Sequence, residues 1–173
     1  MQQQITSTIV KGAIIGLIMI LVSIGGSFLG LDANGYFQWV GYSIFLIGII
    51  LSISQYGKQI NYNSTFGNYF AHGFKISALV TLMMIVFLIV FMTIFPDFKE
   101  KALEVAKKDM ADKKMSAEQM EQAINLTKKF FMVFLVGGAL LGYLLFGAIA
   151  SLIGAAVTKK DPHPLQDINQ IGE

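Results

Sequence analysis

Four long apolar stretches decide what this chain can fold into. Residues 12–31, 36–54, 76–95 and 130–157 contain no Asp, Glu, Lys, Arg or His. A helix rises 1.5 Å per residue, so roughly 20 apolar residues cross the ~30 Å hydrocarbon core of a bilayer. A water-soluble fold would have to bury all four stretches. With 54% hydrophobic and only 14% charged residues, the chain lacks the polar surface to do so. The expected fold is all-α: an integral membrane four-helix bundle forming one membrane domain over residues 1–173, with the lipid bilayer as its solvent.

The first span follows Lys11, which is expected at the interface. It is too long for an ordinary signal-peptide core, no Lys precedes position 11, and Leu31-Asp32-Ala33-Asn34-Gly35 is a poor cleavage site, so an uncleaved helix is expected. Residues 32–35 form a turn short enough to return the second span antiparallel to the first. Tyr36 and Trp39 suit an aromatic belt, and a polar loop follows over 55–64. Thr65 is placed to cap a helix that leads into the third span. Phe66, Phe70, Gly73, Phe74 and Ser77 recur there at helical spacing, against the headgroups or a neighbouring helix. Pro96 lacks a backbone donor and restricts the residue before it, so the third span must stop or bend at Phe95-Pro96.

Residues 97–129 carry eight Lys and seven acidic side chains, too many charges for hydrocarbon. This is an extramembrane helical hairpin between the third and fourth transmembrane helices. Its first helix runs over about 97–113, with Phe98, Ala102, Val105 and Met110 on one face and Asp97 with Lys101, Glu104 with Lys108 and Asp109 with Lys113 at i,i+4 spacing. Ser116-Ala117-Glu118-Gln119 has the form of a capping box. No breaker follows, so one continuous helix is expected from there through the fourth span, with Met120, Ile124 and Phe131 on its apolar face. The tail, 158–173, contains Pro162 and Pro164 and reads as loosely ordered.

Little of the chain suggests chemistry. All 13 basic residues are Lys, so there is no guanidinium fork for carboxylate or phosphate. A net charge of +2 argues against nucleic acid as a partner. The absence of Cys removes disulfides and thiolate sites, and His72 and His163 are too few for a histidine-rich metal centre. No catalytic, cofactor-binding or metal residue is assigned, and no cofactor is expected. His72 and Lys75 stand at the mouth of the third span, where interfacial snorkelling explains them more simply than a functional pair. The hairpin carboxylates alternate with Lys as on a solvated face. Asn63-Ser64-Thr65 and Asn125-Leu126-Thr127 match a glycosylation pattern short enough to arise by chance and are given no role.

Small residues one turn apart, Gly12 and Gly16, Gly26 and Gly30, Gly138 and Gly142, Gly147 and Ser151, allow helix backbones to approach closely. Gly41 and Gly48 suggest the same for the second helix. Packing within one protomer is the simpler use, and a homo-oligomer through these faces stays open. Ser23, Ser27, Ser43, Ser52, Thr81, Thr93 and Ser151 are expected to bond their own helix carbonyls rather than line a polar path. Four spans put both termini on one side with Lys11, Lys58, Lys75, Lys159 and Lys160, opposite the hairpin. The raw Lys count favours the hairpin side, eight against five, but the Lys159-Lys160 pair directly after the last span argues for cytoplasmic termini.

The order of several motifs is similar to a family of bacterial membrane proteins, found mainly in Bacteroidota and catalogued as domain of unknown function 4199. These are Phe66-Gly67, Phe70 and Gly73-Phe74; Pro96-Asp97-Phe98; Met115 to Gln119; and Phe146-Gly147 through Ser151-Leu152 to Lys159-Lys160. The resemblance spans essentially the whole chain and implies a multi-pass protein of the bacterial inner membrane, with no activity or site residues to carry over. Phe95 stands where the family often has an acid before the hairpin proline. The function expected is that of a non-enzymatic accessory or scaffold protein, with the 97–129 hairpin presenting Phe98, Val105 or Met120 to a protein partner. A small oligomeric transporter or channel is the alternative, and a membrane enzyme using His72 and Lys75 comes third.

Overall fold

The computed structural model describes residues 6–31, 36–112 and 116–160. The expected turn at 32–35, the tail from 161 onward and His163 lie outside them. Six helices follow one another: α1 (Thr8–Phe28), α2 (Phe37–Gln59), α3 (Phe66–Ile94), α4 (Asp97–Asp112), α5 (Ala117–Lys129) and α6 (Phe131–Val157). Among the described residues there is no strand. Helices α1, α2, α3 and α6 are each long and apolar enough to cross a membrane.

Local signals set several boundaries. The Ser7 side chain accepts from the Ile9 amide to start α1, and Thr65 accepts from Asn68 to start α3. α3 ends at Ile94, with Phe95 as its C-cap and α4 beginning after Pro96. The capping box at Ser116 and Gln119 is formed in both directions.

Two helices run past the expected spans: α1 begins before Lys11, and α2 continues through Gln59 because nothing polar in 55–59 breaks a helix. α3 carries its entry segment from Phe66, as the Thr65 cap predicts. The expected continuous helix from the hairpin into the fourth span is instead broken at Phe130, whose φ of −109° and ψ of 22° leave the helical region. Backbone bonds from Phe130 to Leu126 and from Phe134 to Phe130 bridge the break. No Pro or Gly marks this point in the sequence. α5 packs chiefly on α4, so the tertiary path of the hairpin sets the bend.

Around the bundle the helices lie in the order α1, α3, α6, α2, with α2 and α3 also touching across the centre. Ile15 and Met19 of α1, Phe45, Ile49 and Ile53 of α2, and Ile76, Val80 and Met84 of α3 fill the interior, closed by Ala150 and Ala155 of α6. The closest seam is α3 on α6, where Gly147 faces Ser77 and Gly73 faces Ile53 and Ser151. Gly12 and Gly16 likewise seat Leu79 and Met83 of α3. These small-residue pairs therefore pack within the protomer. Gly41 and Gly138 differ, having open space where a side chain would stand. Leu17, Leu21, Leu51, Leu82 and Leu145 point outward from the spans, as a lipid-facing surface requires.

Candidate functional site

The polar side chains of the bundle gather at the end where α1 starts, α2 ends and α3 starts. Lys11 is only 5% exposed. It occupies the same helix face as Gly12, Ile15, Gly16 and Met19, all of them buried, so the stripe that packs α1 also draws its lysine inward. Its ammonium donates to the Ser52 carbonyl at 3.2 Å and to Gln59 Oε1 at 3.5 Å. Gln59 is in the last turn of α2, where the helix dipole favours a cation, and Ser52 lies about two turns before it. Gln59 also ties down the chain start, its Nε2 donating to Thr6 Oγ1 at 2.9 Å while its Oε1 accepts from the Thr6 amide at 3.3 Å.

Tyr56 sits at the centre of this cluster. The His72 ring stacks on it with centroids 4.0 Å apart and planes 8° from parallel. Tyr69 meets it edge-on at 6.0 Å, and the Lys11 ammonium lies 5.9 Å from its centroid. Three helices are thereby braced through one phenol ring. Tyr69 Oη, His72 Nε2 and Ser77 Oγ, all on the buried face of α3, have no hydrogen-bond partner among the described residues. An unpaired buried hydroxyl costs about 1–3 kcal/mol of desolvation. Tyr69→Phe, which keeps the ring and removes the orphaned group, is therefore expected to leave the protein as stable as before or raise its melting temperature; a clear drop would mean that the hydroxyl has a partner.

Three of the seven span hydroxyls bond their own helix carbonyls as expected. Thr81 donates to the Ser77 carbonyl, Thr93 to Ile89 and Ser151 to Gly147, each four residues back and at 2.7–2.8 Å. His72 and Lys75 do not form a pair facing one environment: His72 is buried against Tyr56, whereas Lys75 is exposed. Among the described residues no group of three His, Asp or Glu converges as a metal site. Every described Asp and Glu lies on α4 or α5, so the cluster offers donors and one positive charge without a described carboxylate. Such a set is suited to bracing and binding.

Lys11 is expected at the interface rather than in the core, and nothing in the sequence marks Tyr56, Gln59 and Tyr69 as a shared site. The signal for Lys11 was available in its i,i+1,i+4,i+5 spacing with Gly12, Ile15 and Gly16. Tyr56 and Gln59 fall in the expected polar loop, and only the extension of α2 gives them a helical register.

At the opposite end, Phe98 packs on Phe91 and Phe95 with centroids 5.0 and 6.2 Å away. It is half-buried at the join between α3 and α4, where these contacts take up part of the ring expected to face a partner. Leu103 of α4 is buried and faces a shallow cleft of ≈ 480 Å³ bordered by Lys99, Lys107 and Lys128 together with Glu100 and Glu104. Val105 remains exposed.

Four long apolar helices closed over a filled core, with charged helices α4 and α5 between the third and fourth, define a multi-span helical membrane protein. The model of the family described as "Protein of unknown function (DUF4199)" matches residues 11–160, and the chain belongs to that family. No curated protein and no solved structure shows a significant match.

Proposed function

We propose that this is a non-enzymatic accessory or scaffold protein of the bacterial inner membrane, with cytoplasmic termini and the α4–α5 hairpin on the outer side. The observation that carries this reading is the filled interior. Phe45, Ile49, Ile53, Ile76 and Val80 are completely buried at the bundle centre, leaving the surfaces to do the work. The hairpin supplies one such surface, with Val105 and Leu126 exposed among its charged side chains. For the orientation, the support is that the described termini end holds Lys11, Lys58, Lys75, Lys159 and Lys160 and no acid.

One variant tests both parts. Because the native chain has no Cys, Val105→Cys can be treated in intact cells with a membrane-impermeant, cysteine-reactive crosslinker. Reaction and an adduct with one recurrent protein species are expected. Reaction without a protein adduct would count against the scaffold reading, and no reaction at position 105 would overturn the orientation.

A second reading, a small oligomeric transporter or channel, draws support from the buried polar cluster around Tyr56. Vesicles reconstituted with the protein and showing no solute or ion flux would remove it.

A further inference from the structure

The end of α6 and the turn between α2 and α3 form a cationic and aromatic corner that the bundle core does not need. The Lys160 ammonium lies 5.7 Å from the centroid of the Phe66 ring and donates to the carbonyls of Thr158 at 3.3 Å and Ala156 at 3.5 Å. Its third N–H group meets no acceptor among the described residues. Beside it, the Lys159 ammonium stands 6.0 Å from the Tyr62 ring.

Tyr62 is held there at a conformational cost. Asn61 and Tyr62 have φ of 53° and 61°, the left-handed region that a bulky side chain rarely enters. The Tyr62 amide donates to the Gly57 carbonyl at 2.7 Å, and a side chain at Gly57 would press on the Tyr62 ring and Thr158. Backbone strain of this kind persists where the surroundings over-determine it and collects at functional positions.

Every described Asp and Glu is on α4 or α5, and Asp161, which follows Lys160 in the sequence, lies outside the described residues. Below them the surface turns apolar. From Phe66, which is 42% exposed, the i+4 and i+8 positions of α3 carry Phe70 and the exposed Phe74, their rings stacked 5.8 Å apart. Ile153 and Val157 of α6 are exposed too. A paired positive charge directly above an aromatic stripe, at the end of two membrane-crossing helices, has the shape and polarity of an anionic amphiphile.

We propose that this corner is a binding site for an anionic phospholipid, its phosphate on Lys159 and Lys160 and an acyl chain along Phe66, Phe70 and Phe74. The stripe favours a lipid over free phosphate, and the lysine pair favours an anionic over a zwitterionic headgroup.

Native mass spectrometry of the full chain in neutral detergent, titrated with phosphatidylglycerol, phosphatidylcholine or inorganic phosphate, tests this. Phosphatidylglycerol is expected to bind at least tenfold more tightly than the other two. Lys159→Gln with Lys160→Gln should weaken it about 30-fold, the ratio given by two lysines at roughly 1 kcal/mol each. Lys159→Arg with Lys160→Arg should retain the binding, as should the hairpin control Lys128→Gln with Lys129→Gln. Equal affinity for phosphatidylcholine or inorganic phosphate would overturn the proposal. So would an equal loss in the hairpin control, which would reduce the effect to general charge attraction.

Discussion

Gly147→Val is expected to lower the stability of the bundle by about 3 kcal/mol, at the upper end of what overpacking a filled interior costs. A side-chain carbon at position 147 would collide with both heavy side-chain atoms of Ser77 and press on Phe45 from the other direction. Serine has too short a side chain to swing clear, so α3 and α6 must separate along their closest seam. The same exchange at Gly138, in the same helix, meets nothing within 4 Å. Titration of the detergent-solubilised protein with SDS, followed by circular dichroism, should show an early midpoint for Gly147→Val and a near-native one for Gly138→Val. Matching midpoints would mean that the α3–α6 seam has slack that the observed contact excludes.

Tyr56→Ala is expected to cost about 3 kcal/mol by the same measurement, at the lower end of large aromatic truncations because the ring is only half-buried. The ring contacts α1 through Lys11 and α3 through Tyr69 and His72, so its loss loosens three helices together. A double-mutant cycle of Tyr56→Ala with His72→Ala should give a coupling of about 1 kcal/mol, as for other stacked aromatic pairs. Lys11→Met is the informative comparison. It keeps the volume while removing the charge, and exchanges of buried charge for apolar groups are often neutral or stabilising. A larger loss from Lys11→Met than from Tyr56→Ala would show that the brace is held by charge rather than by packing.

These two sites differ in how legible they were. Gly147 and Ser151 could be recognised as a packing pair because four residues make about one helical turn, whatever lies opposite. That Ser77 lies opposite Gly147 could not be recognised, since the partner depends on which helices become neighbours. Gly41 shows the same limit from the other side. It repeats at a heptad from Gly48, yet only Gly48 meets α1, through Ile15, while Gly41 faces open space. Phe98 falls on a helix as its sequence predicts, but its contact with Phe91 and Phe95 follows from the angle at which α4 leaves Pro96.

What the sequence by itself determined is the set of crossing helices, the charged hairpin between the last two, and the local boundaries at Thr65, Pro96 and Ser116. Each rests on short-range physics: hydrocarbon thickness against helix rise, the missing amide of proline, and side chains that bond the first free amides of a helix. Only the tertiary structure decided that Lys11 turns inward to α2, that Tyr56 joins three helices, and that the path breaks at Phe130. Each of these depends on residues more than a dozen positions apart or on the route of a neighbouring helix. Periodicity along one helix gives the direction in which a side chain points, and the packed bundle alone supplies what stands in that direction.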